Sequence, residues 1–164
     1  YLEMIRLKTA VLLAASLKIG ARLGGASVED ADRLYDFGMH IGVAFQLKDD
    51  LLDVYGNAKV FGKNIGGDIL CNKKTYMLIK ALEHANADQH NQLNSWINAE
   101  TFQPAEKIAA VTELYDRIGV KAVCENKILE YSNWAMESLA AVSIAEEKKE
   151  ELKKIIENLI HREV

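Results

Sequence analysis

Proline is nearly absent from this sequence, whose 164 residues contain a single one, Pro104. Chains rich in turns need proline and glycine at them, yet most of the ten glycines lie within residues 20–25, 38–42 and 56–67. Apolar residues recur mainly at spacings of three and four, which is typical of helices, and rarely at the spacing of two expected in strands. The sequence therefore predicts an all-α fold, and it contains no internal repeat or linker.

Cysteine is also scarce, since Cys71 and Cys124 are the only two. They do not form a CxxC pair, and no histidine beside them is placed as a metal ligand. A disulfide framework or a zinc site would need more than this. We interpret both as thiols in a reducing compartment.

Long apolar runs and an excess of positive charge are missing as well. No run reaches the roughly 18 residues typical of a membrane span, and the net charge is -4. We therefore expect no stable membrane anchor, no nucleic-acid partner and a cytoplasmic location. Any phosphate binding has to be local, through a few placed lysines. The length suits a single helical domain.

The hydrophobic periodicity divides the chain into seven predicted helices. They cover residues 1–23, 27–55, 73–85, 87–98, 104–118, 120–141 and 145–162, and residues 56–69 form a glycine-rich loop. Asn72 is the predicted N-cap of the third helix. The charged run at 146–154 is interpreted as a solvated face. Gly38 and Gly42 share one helix face, which suits either close packing or room for a ligand.

The first helix is apolar on almost all sides, as is typical of a helix surrounded by others. No capping residue precedes it, so we expect the chain to begin inside a longer fold. Lys8 lies in its middle, where a lysine is costly to bury unless it meets an anion or reaches solvent. The run Val11–Leu13 would serve as a cavity wall or as ordinary core, and we favour core.

Three carboxylates, those of Asp49, Asp50 and Asp53, lie three or four residues apart and face roughly one side of the second helix. Such groups repel each other unless a cation lies between them. Mg2+ prefers oxygen ligands and takes one or two carboxylates together with waters and a substrate phosphate. The turn therefore indicates a metal-bridged phosphate ester, with a solvated acidic turn as the alternative.

Four motifs occur in a fixed order along residues 8–75. They are Lys8-Thr9, Phe45-Gln46-x-x-Asp49-Asp50-x-x-Asp53, Gly62-Lys63-x-x-Gly66-x-Asp68-Ile69 and Asn72-Lys73-x-Thr75. Together they resemble the second half of a trans-type isoprenyl diphosphate synthase of the farnesyl or geranylgeranyl diphosphate synthase family. The resemblance implies an isoprenoid-synthase helical bundle, present here in part, and a homodimer. It implies a prenyltransferase of isoprenoid biosynthesis that joins an allylic diphosphate to isopentenyl diphosphate head to tail and releases pyrophosphate.

The resemblance also implies roles for individual residues. The acidic turn matches the second of two aspartate-rich motifs, which together hold up to three Mg2+ ions, with Asp49 as the most direct ligand. The lysines that match those holding the allylic diphosphate are Lys8, Lys63 and Lys73. Thr9 and Gln46 match polar groups near the developing allylic cation, and Phe45 matches an aromatic ring near the isopentenyl group.

The first aspartate-rich motif of that family has no counterpart in residues 1–164. We therefore expect the chain to be the C-terminal portion of a longer synthase and to be inactive alone. Product chain length is not predicted. Arg162 resembles a basic tail that closes over the site, or is a cation at a helix end. The alternatives are a non-catalytic partner of the same fold, a terpene cyclase or head-to-head synthase, and a structural bundle.

Overall fold

The computed structural model describes residues 1–56 and 65–160, the side chain of Ile160 excepted. Within these ranges the chain forms helices and turns and no strand, which confirms the predicted all-α class. The helices are Leu2–Ile5 (α1), Val11–Leu23 (α2), Val28–Tyr55 (α3), Gly67–Leu70 (α4), Tyr76–His84 (α5), Ala87–Ile97 (α6), Pro104–Ile118 (α7), Val120–Ala140 (α8) and Glu150–Ile160 (α9). None of them, over the described ranges, is long and apolar enough to cross a bilayer.

The helices belong to two compact units. The first contains residues 1–48 and the C-terminal helices from residue 126 onward. The second contains residues 49–125. Helices α3 and α8 therefore contribute to both.

Close contact between α2 and α3 organises the first unit. A Cβ atom added at Gly38 would lie 2.6 Å from the Cα of Ala14, and one added at Gly42 would lie 2.7 Å from the Cα of Ala10. Close packing, and not room for a ligand, is therefore the correct interpretation of the two glycines. The core of this unit consists of Phe37, Ile41, Ala44, Ala135, Leu139, Ile156 and Leu159.

The opposite side of α2 is exposed in the described structure. Leu12 is 73% exposed, Ile19 is 60% exposed and Leu23 is 84% exposed. Our preference for core at Leu12 and Leu13 was wrong, because both side chains are exposed.

Helix α7 lies at the centre of the second unit and contacts α4, α5 and α6. Its buried side chains include Val111, Leu114 and Tyr115. Pro104 begins this helix as predicted, because a proline at the first position lacks only an N–H that would have no partner there. The unit thus places α4, which follows the glycine-rich segment, against α7.

Two local predictions are corrected by the structure. The third predicted helix begins at Tyr76, and its N-cap is Thr75, whose Oγ1 accepts from the Leu78 N–H at 3.3 Å. Asn72 does not cap it because its side chain is bonded elsewhere, as described below. The charged run is not entirely solvated, since Lys149 is 2% exposed and donates to the Ala140 carbonyl at 2.9 Å.

Other local expectations are confirmed. The Ser27 hydroxyl accepts from the Asp30 N–H at 3.0 Å, as expected where α3 begins. Cys71 is exposed, Cys124 is buried, and neither is disulfide-bonded. One further prediction is corrected, because the single helix predicted over residues 145–162 is a 3-10 turn at Glu146–Lys148 followed by α9.

Candidate functional site

Asp50 and Lys73 form an ion pair in the second unit. The Lys73 ammonium donates to Asp50 Oδ1 at 3.1 Å and to Asp68 Oδ2 at 2.7 Å. Asp50 is only 2% exposed, and a buried carboxylate is costly without such a partner. Burial by itself would lower the pKa of Lys73, but the hydrogen bond to Asp68 and the charge of Asp50 outweigh it and raise that pKa. Lys73 is therefore a fixed positive charge beside two carboxylates.

Asp53 ties α3 to the short helix α4. Its Oδ2 accepts from the Asp68 N–H at 2.9 Å, and its carbonyl accepts from the Gly66 N–H at 2.6 Å. Gly66 has a φ of +85°, and a Cβ there would lie 2.7 Å from the side chain of Ile108. Glycine is therefore required at this turn. Burial raises the pKa of Asp53, and the charges of Asp68 and Asp49 act in the same direction.

Asp49 differs from the other two carboxylates of the turn. It is half-buried, and its carboxylate has no ion pair or hydrogen bond with any residue in the described ranges. Over the same ranges, no three carboxylate, imidazole or thiol groups are arranged to hold a metal ion. The donor set still fits Mg2+, which commonly uses one or two carboxylates and completes its shell with water and phosphate. The residues fit a cation shared with a phosphate ligand and not a closed protein cage.

A second polar cluster adjoins this one, and the sequence analysis missed it. Lys107 on α7 is 1% exposed, donates to Asn72 Oδ1 at 2.7 Å and lies 4.2 Å from the centre of the Phe102 ring. Burial lowers the pKa of Lys107. The sequence pattern that could have revealed it is helical spacing: Lys107 lies four and seven residues before Val111 and Leu114, which are buried, and so shares their side of the helix. A cavity of about 20 Å3 is lined by both lysines, Lys73 and Lys107.

In the first unit, Lys8 and Thr9 lie in a π-helical turn at Arg6–Ala10 that joins α1 to α2. The Val11 N–H donates to the Arg6 carbonyl, five residues back instead of four. Such turns occur frequently at functional sites. The Thr9 hydroxyl donates to Gln46 Oε1 at 3.4 Å, so the structure brings these two predicted site residues together. Lys8 is exposed.

Phe45 lines an open apolar groove of the first unit. It is 44% exposed and shares a groove of about 410 Å3 with Leu13, Ile41, Ile155 and Leu159. Lys63 and Arg162 lie outside the described residues. The roles assigned to the predicted site residues stay predictions.

Comparisons with known proteins agree on one family. The model of the polyprenyl synthetase family matches residues 1–115. The short chain isoprenyl diphosphate synthase of Methanothermobacter thermautotrophicus is 35% identical over 163 residues, which cover 99% of this chain and 49% of that protein. A crystal structure of a geranylgeranyl pyrophosphate synthase is 35% identical with a TM-score of 0.91, over 99% of this chain and 50% of that one.

A further solved structure is the geranylgeranyl pyrophosphate synthase of Corynebacterium glutamicum complexed with isoprenyl diphosphate and magnesium. It is 30% identical with a TM-score of 0.85, over 99% of this chain and 47% of that one. The chain thus spans about half the length of the relatives it matches.

Proposed function

Because the chain belongs to the polyprenyl synthetase family and has the all-α fold of its solved members, we propose that it is the C-terminal half of a prenyl diphosphate synthase. The full-length protein that the gene encodes, called the gene-encoded protein below, condenses an allylic diphosphate with isopentenyl diphosphate head to tail and releases pyrophosphate. The observation that carries this proposal is the Lys73 ammonium, which lies beside Asp68 and beside Asp50 of the acidic turn. One fixed cation among carboxylates suits a diphosphate that arrives with a divalent metal.

The chemistry demands charge stabilisation where the substrate ionises. When the allylic C–O bond breaks, negative charge concentrates on the departing pyrophosphate, and a fixed cation stabilises that charge more than it stabilises the reactant. Lys73 remains protonated because its pKa is raised, so it is suited to this task. Lys8 and Lys63 are proposed to bind the same diphosphate.

Metal binding is assigned to the acidic turn. Asp49 and Asp53 would hold Mg2+ together with the diphosphate, and Asp50 would act chiefly by holding Lys73. Bound Mg2+ supplies Lewis-acid stabilisation of the developing negative charge. A complete site is proposed to contain up to three such ions.

The allylic cation has to be kept from water until the isopentenyl double bond attacks it. An apolar helical wall that carries a few oxygen dipoles suits this task. Thr9 and Gln46 provide such dipoles and are already bonded to each other. Phe45 provides the apolar surface for the isopentenyl group. The gene-encoded protein is proposed to be a cytoplasmic homodimer.

The test uses the gene-encoded protein with Mg2+, radiolabelled isopentenyl diphosphate and, in turn, dimethylallyl, geranyl or farnesyl diphosphate. We expect one pyrophosphate for each labelled isopentenyl unit incorporated, with at least one allylic substrate, and chromatographic sizing of the product gives the chain length. Pyrophosphate release that does not depend on isopentenyl diphosphate would indicate a cyclase instead. Absence of both products would indicate a non-catalytic partner. Light scattering at twice the protomer mass would support the homodimer.

A further inference from the structure

A buried lysine that forms no ion pair with any carboxylate of the described residues calls for an explanation. Lys107 is 1% exposed. Removing an ammonium group from water is costly unless hydrogen bonds replace the water. Among the residues that the structure describes, the side chain meets one strong acceptor, Asn72 Oδ1 at 2.7 Å, and the face of the Phe102 ring at 4.2 Å. The interactions of Lys107 are therefore directed at Asn72.

Asn72 is held at both ends of its side chain. Its Oδ1 accepts from Lys107, and its Nδ2 donates to the Ile97 carbonyl at 2.9 Å. The ammonium can only donate and the carbonyl can only accept, so these partners fix the orientation of the amide. The side chain of Asn72 cannot rotate without losing one of the two bonds.

The backbone of Asn72 is equally unusual. It is the only non-glycine residue with a positive φ in the described ranges, at +50°. Residues with a Cβ atom adopt this left-handed conformation at a cost, asparagine more readily than most. The next residue is Lys73, whose N–H donates to the Asp68 carbonyl at 2.9 Å. The conformation of Asn72 therefore sets the direction in which the Lys73 side chain leaves the turn after α4.

We propose that Lys107 is a positioning residue: by holding the Asn72 side chain, it fixes the left-handed turn that presents the Lys73 ammonium to Asp50 and Asp68. Lys107 acts through Asn72 and does not touch the ligand. The inference rests on the proposed function only for the identity of that ligand, a diphosphate with Mg2+. The geometry of the turn does not depend on the reaction.

The chain offers a matched control for this inference. Lys149 is likewise buried, at 2% exposure, and its ammonium donates to the Ala140 carbonyl at 2.9 Å and, unlike that of Lys107, to a carboxylate, Glu146 Oε1 at 2.8 Å. It belongs to the first unit, whereas Lys107 and Lys73 belong to the second. Replacing either lysine by methionine removes a buried ammonium group, but only Lys107 touches Asn72.

The first experiment measures the affinity of the gene-encoded protein for inorganic pyrophosphate with Mg2+ by titration calorimetry. We expect Lys107→Met to weaken binding by about 10- to 100-fold, the usual effect of removing a group that orients a ligand-binding residue. Lys73→Met should weaken binding at least as much, and Lys149→Met should bind as the unmodified protein does. Thermal melting of each variant checks that it is folded. A Lys107→Met variant with unchanged affinity beside a weakened Lys73→Met variant would overturn the inference.

A second variant separates positioning from general stability. Glycine adopts a positive φ without a clamp, and adding Asn72→Gly to Lys107→Met also removes the amide that would lack its partner. We expect the double variant to regain most of the lost affinity and to fold even if Lys107→Met alone does not. A folded double variant that binds no better than Lys107→Met would count against the role of Asn72.

Crystal structures test the inference without any ligand. In the Lys107→Met protein we expect Asn72 to leave its left-handed conformation and the Lys73 ammonium to move away from Asp68. An unchanged turn would overturn the inference whatever the ligand is. If the unmodified protein and Lys73→Met bind pyrophosphate equally weakly, the proposed function fails instead, and the crystal structures still decide the role of Lys107.

Discussion

At the scale of single residues, the three aspartates of the acidic turn have three different environments. Asp50 is buried against Lys73, Asp53 accepts from the backbone of Asp68, and Asp49 is half-buried without a partner in the described ranges. The sequence presents them as equivalent. Their difference depends on residues about twenty positions further along the chain, which periodicity does not connect to the turn. Asp49 is therefore the carboxylate most available to an external cation.

This difference leads to a prediction for Asp49→Ala in the gene-encoded protein. Turnover should fall by at least about 100-fold because a proposed ligand of the Mg2+ that stabilises the charge of the departing pyrophosphate is removed. The melting temperature should change little, since the substitution relieves repulsion between neighbouring carboxylates. Steady-state kinetics and thermal melting measure the two effects. Asp36→Ala, an exposed aspartate on the same helix, is the control, and normal turnover in Asp49→Ala would remove Asp49 from the site.

The same scale explains what the sequence analysis missed. Asn72 and Thr75 are both good N-cap residues, and local pattern does not distinguish them. Asn72 is not the N-cap because its side chain accepts a hydrogen bond from Lys107, which lies 35 residues away in the sequence. Lys73 was recognisable from a local motif, and its role stays a prediction, whereas the position of Lys107 beside Asn72 depends on tertiary contact.

At the scale of helices, boundaries were predictable where glycine, proline or serine marks them, as at Gly24, Ser27, Pro104 and Gly119. Short elements were not, since α4 and the π-helical turn each span five residues or fewer. The buried state of Lys149 was also missed, because a charged run gives no sign of which lysine turns inward to the end of α8.

The contact between α2 and α3 predicts opposite results for two glycine substitutions. Gly42→Ala should lower the free energy of unfolding by about 1–3 kcal/mol, since its Cβ would lie 2.7 Å from the Cα of Ala10. Gly20→Ala should raise it by up to about 1 kcal/mol, because a Cβ there meets nothing within 4 Å and alanine favours the helix. Urea denaturation of both variants measures the two changes. Equal effects would contradict the packing described for α2 and α3.

Asp30 at the start of α3 predicts a pH-dependent stability. The Ser143 N–H donates to its carboxylate at 2.9 Å, and this bond, together with Arg33, lowers the pKa of Asp30. A lowered pKa stabilises the folded state above the ordinary value of 3.8, and this stabilisation is lost as pH falls through the lowered pKa. Asp30→Asn should therefore reduce the melting temperature at pH 7 more than under strongly acidic conditions.

The control for Asp30→Asn is Glu29→Gln, an exposed carboxylate in the same helical turn. Its melting temperature should stay close to that of the unmodified protein at both pH values. A constant difference between Asp30→Asn and the unmodified protein across the pH range would show that the charge of Asp30 is not what stabilises this connection.

At the scale of the whole molecule, two observations bear on the proposal that the chain is part of a longer synthase. They are the exposed apolar face of α2 and the share of the relatives' length that the chain spans. Leu12, Ile19 and Leu23 are mostly exposed, and contiguous exposed apolar side chains usually mark an interface. The chain also spans about half the length of the relatives it matches. The four motifs of residues 8–75 indicated the family, and the expectation that the chain is part of a longer synthase stays a prediction.

We therefore predict that the 164-residue chain alone forms no condensation product. The reason is that one wall of the proposed cavity and half of the proposed metal site are absent from these residues. Incorporation of labelled isopentenyl diphosphate, measured beside the gene-encoded protein, provides the test. Robust product formation by the short chain would contradict the proposed division of the site.

The π-helical turn affects how the continuous helix formed by α1, the turn and α2 tolerates insertions and deletions. Ile5, Ala10 and Ala14 are its buried residues, and the first two lie five positions apart instead of four. In a regular α-helix, five residues turn the chain about 140° past one full turn, so only the wider winding keeps Ile5 and Ala10 on one side. A deletion of one residue between them would restore ordinary spacing and preserve the buried side. The additional residue of the π-helical turn is therefore not needed for the packing of the buried side. On the exposed side, it changes the angle at which the Lys8 side chain projects.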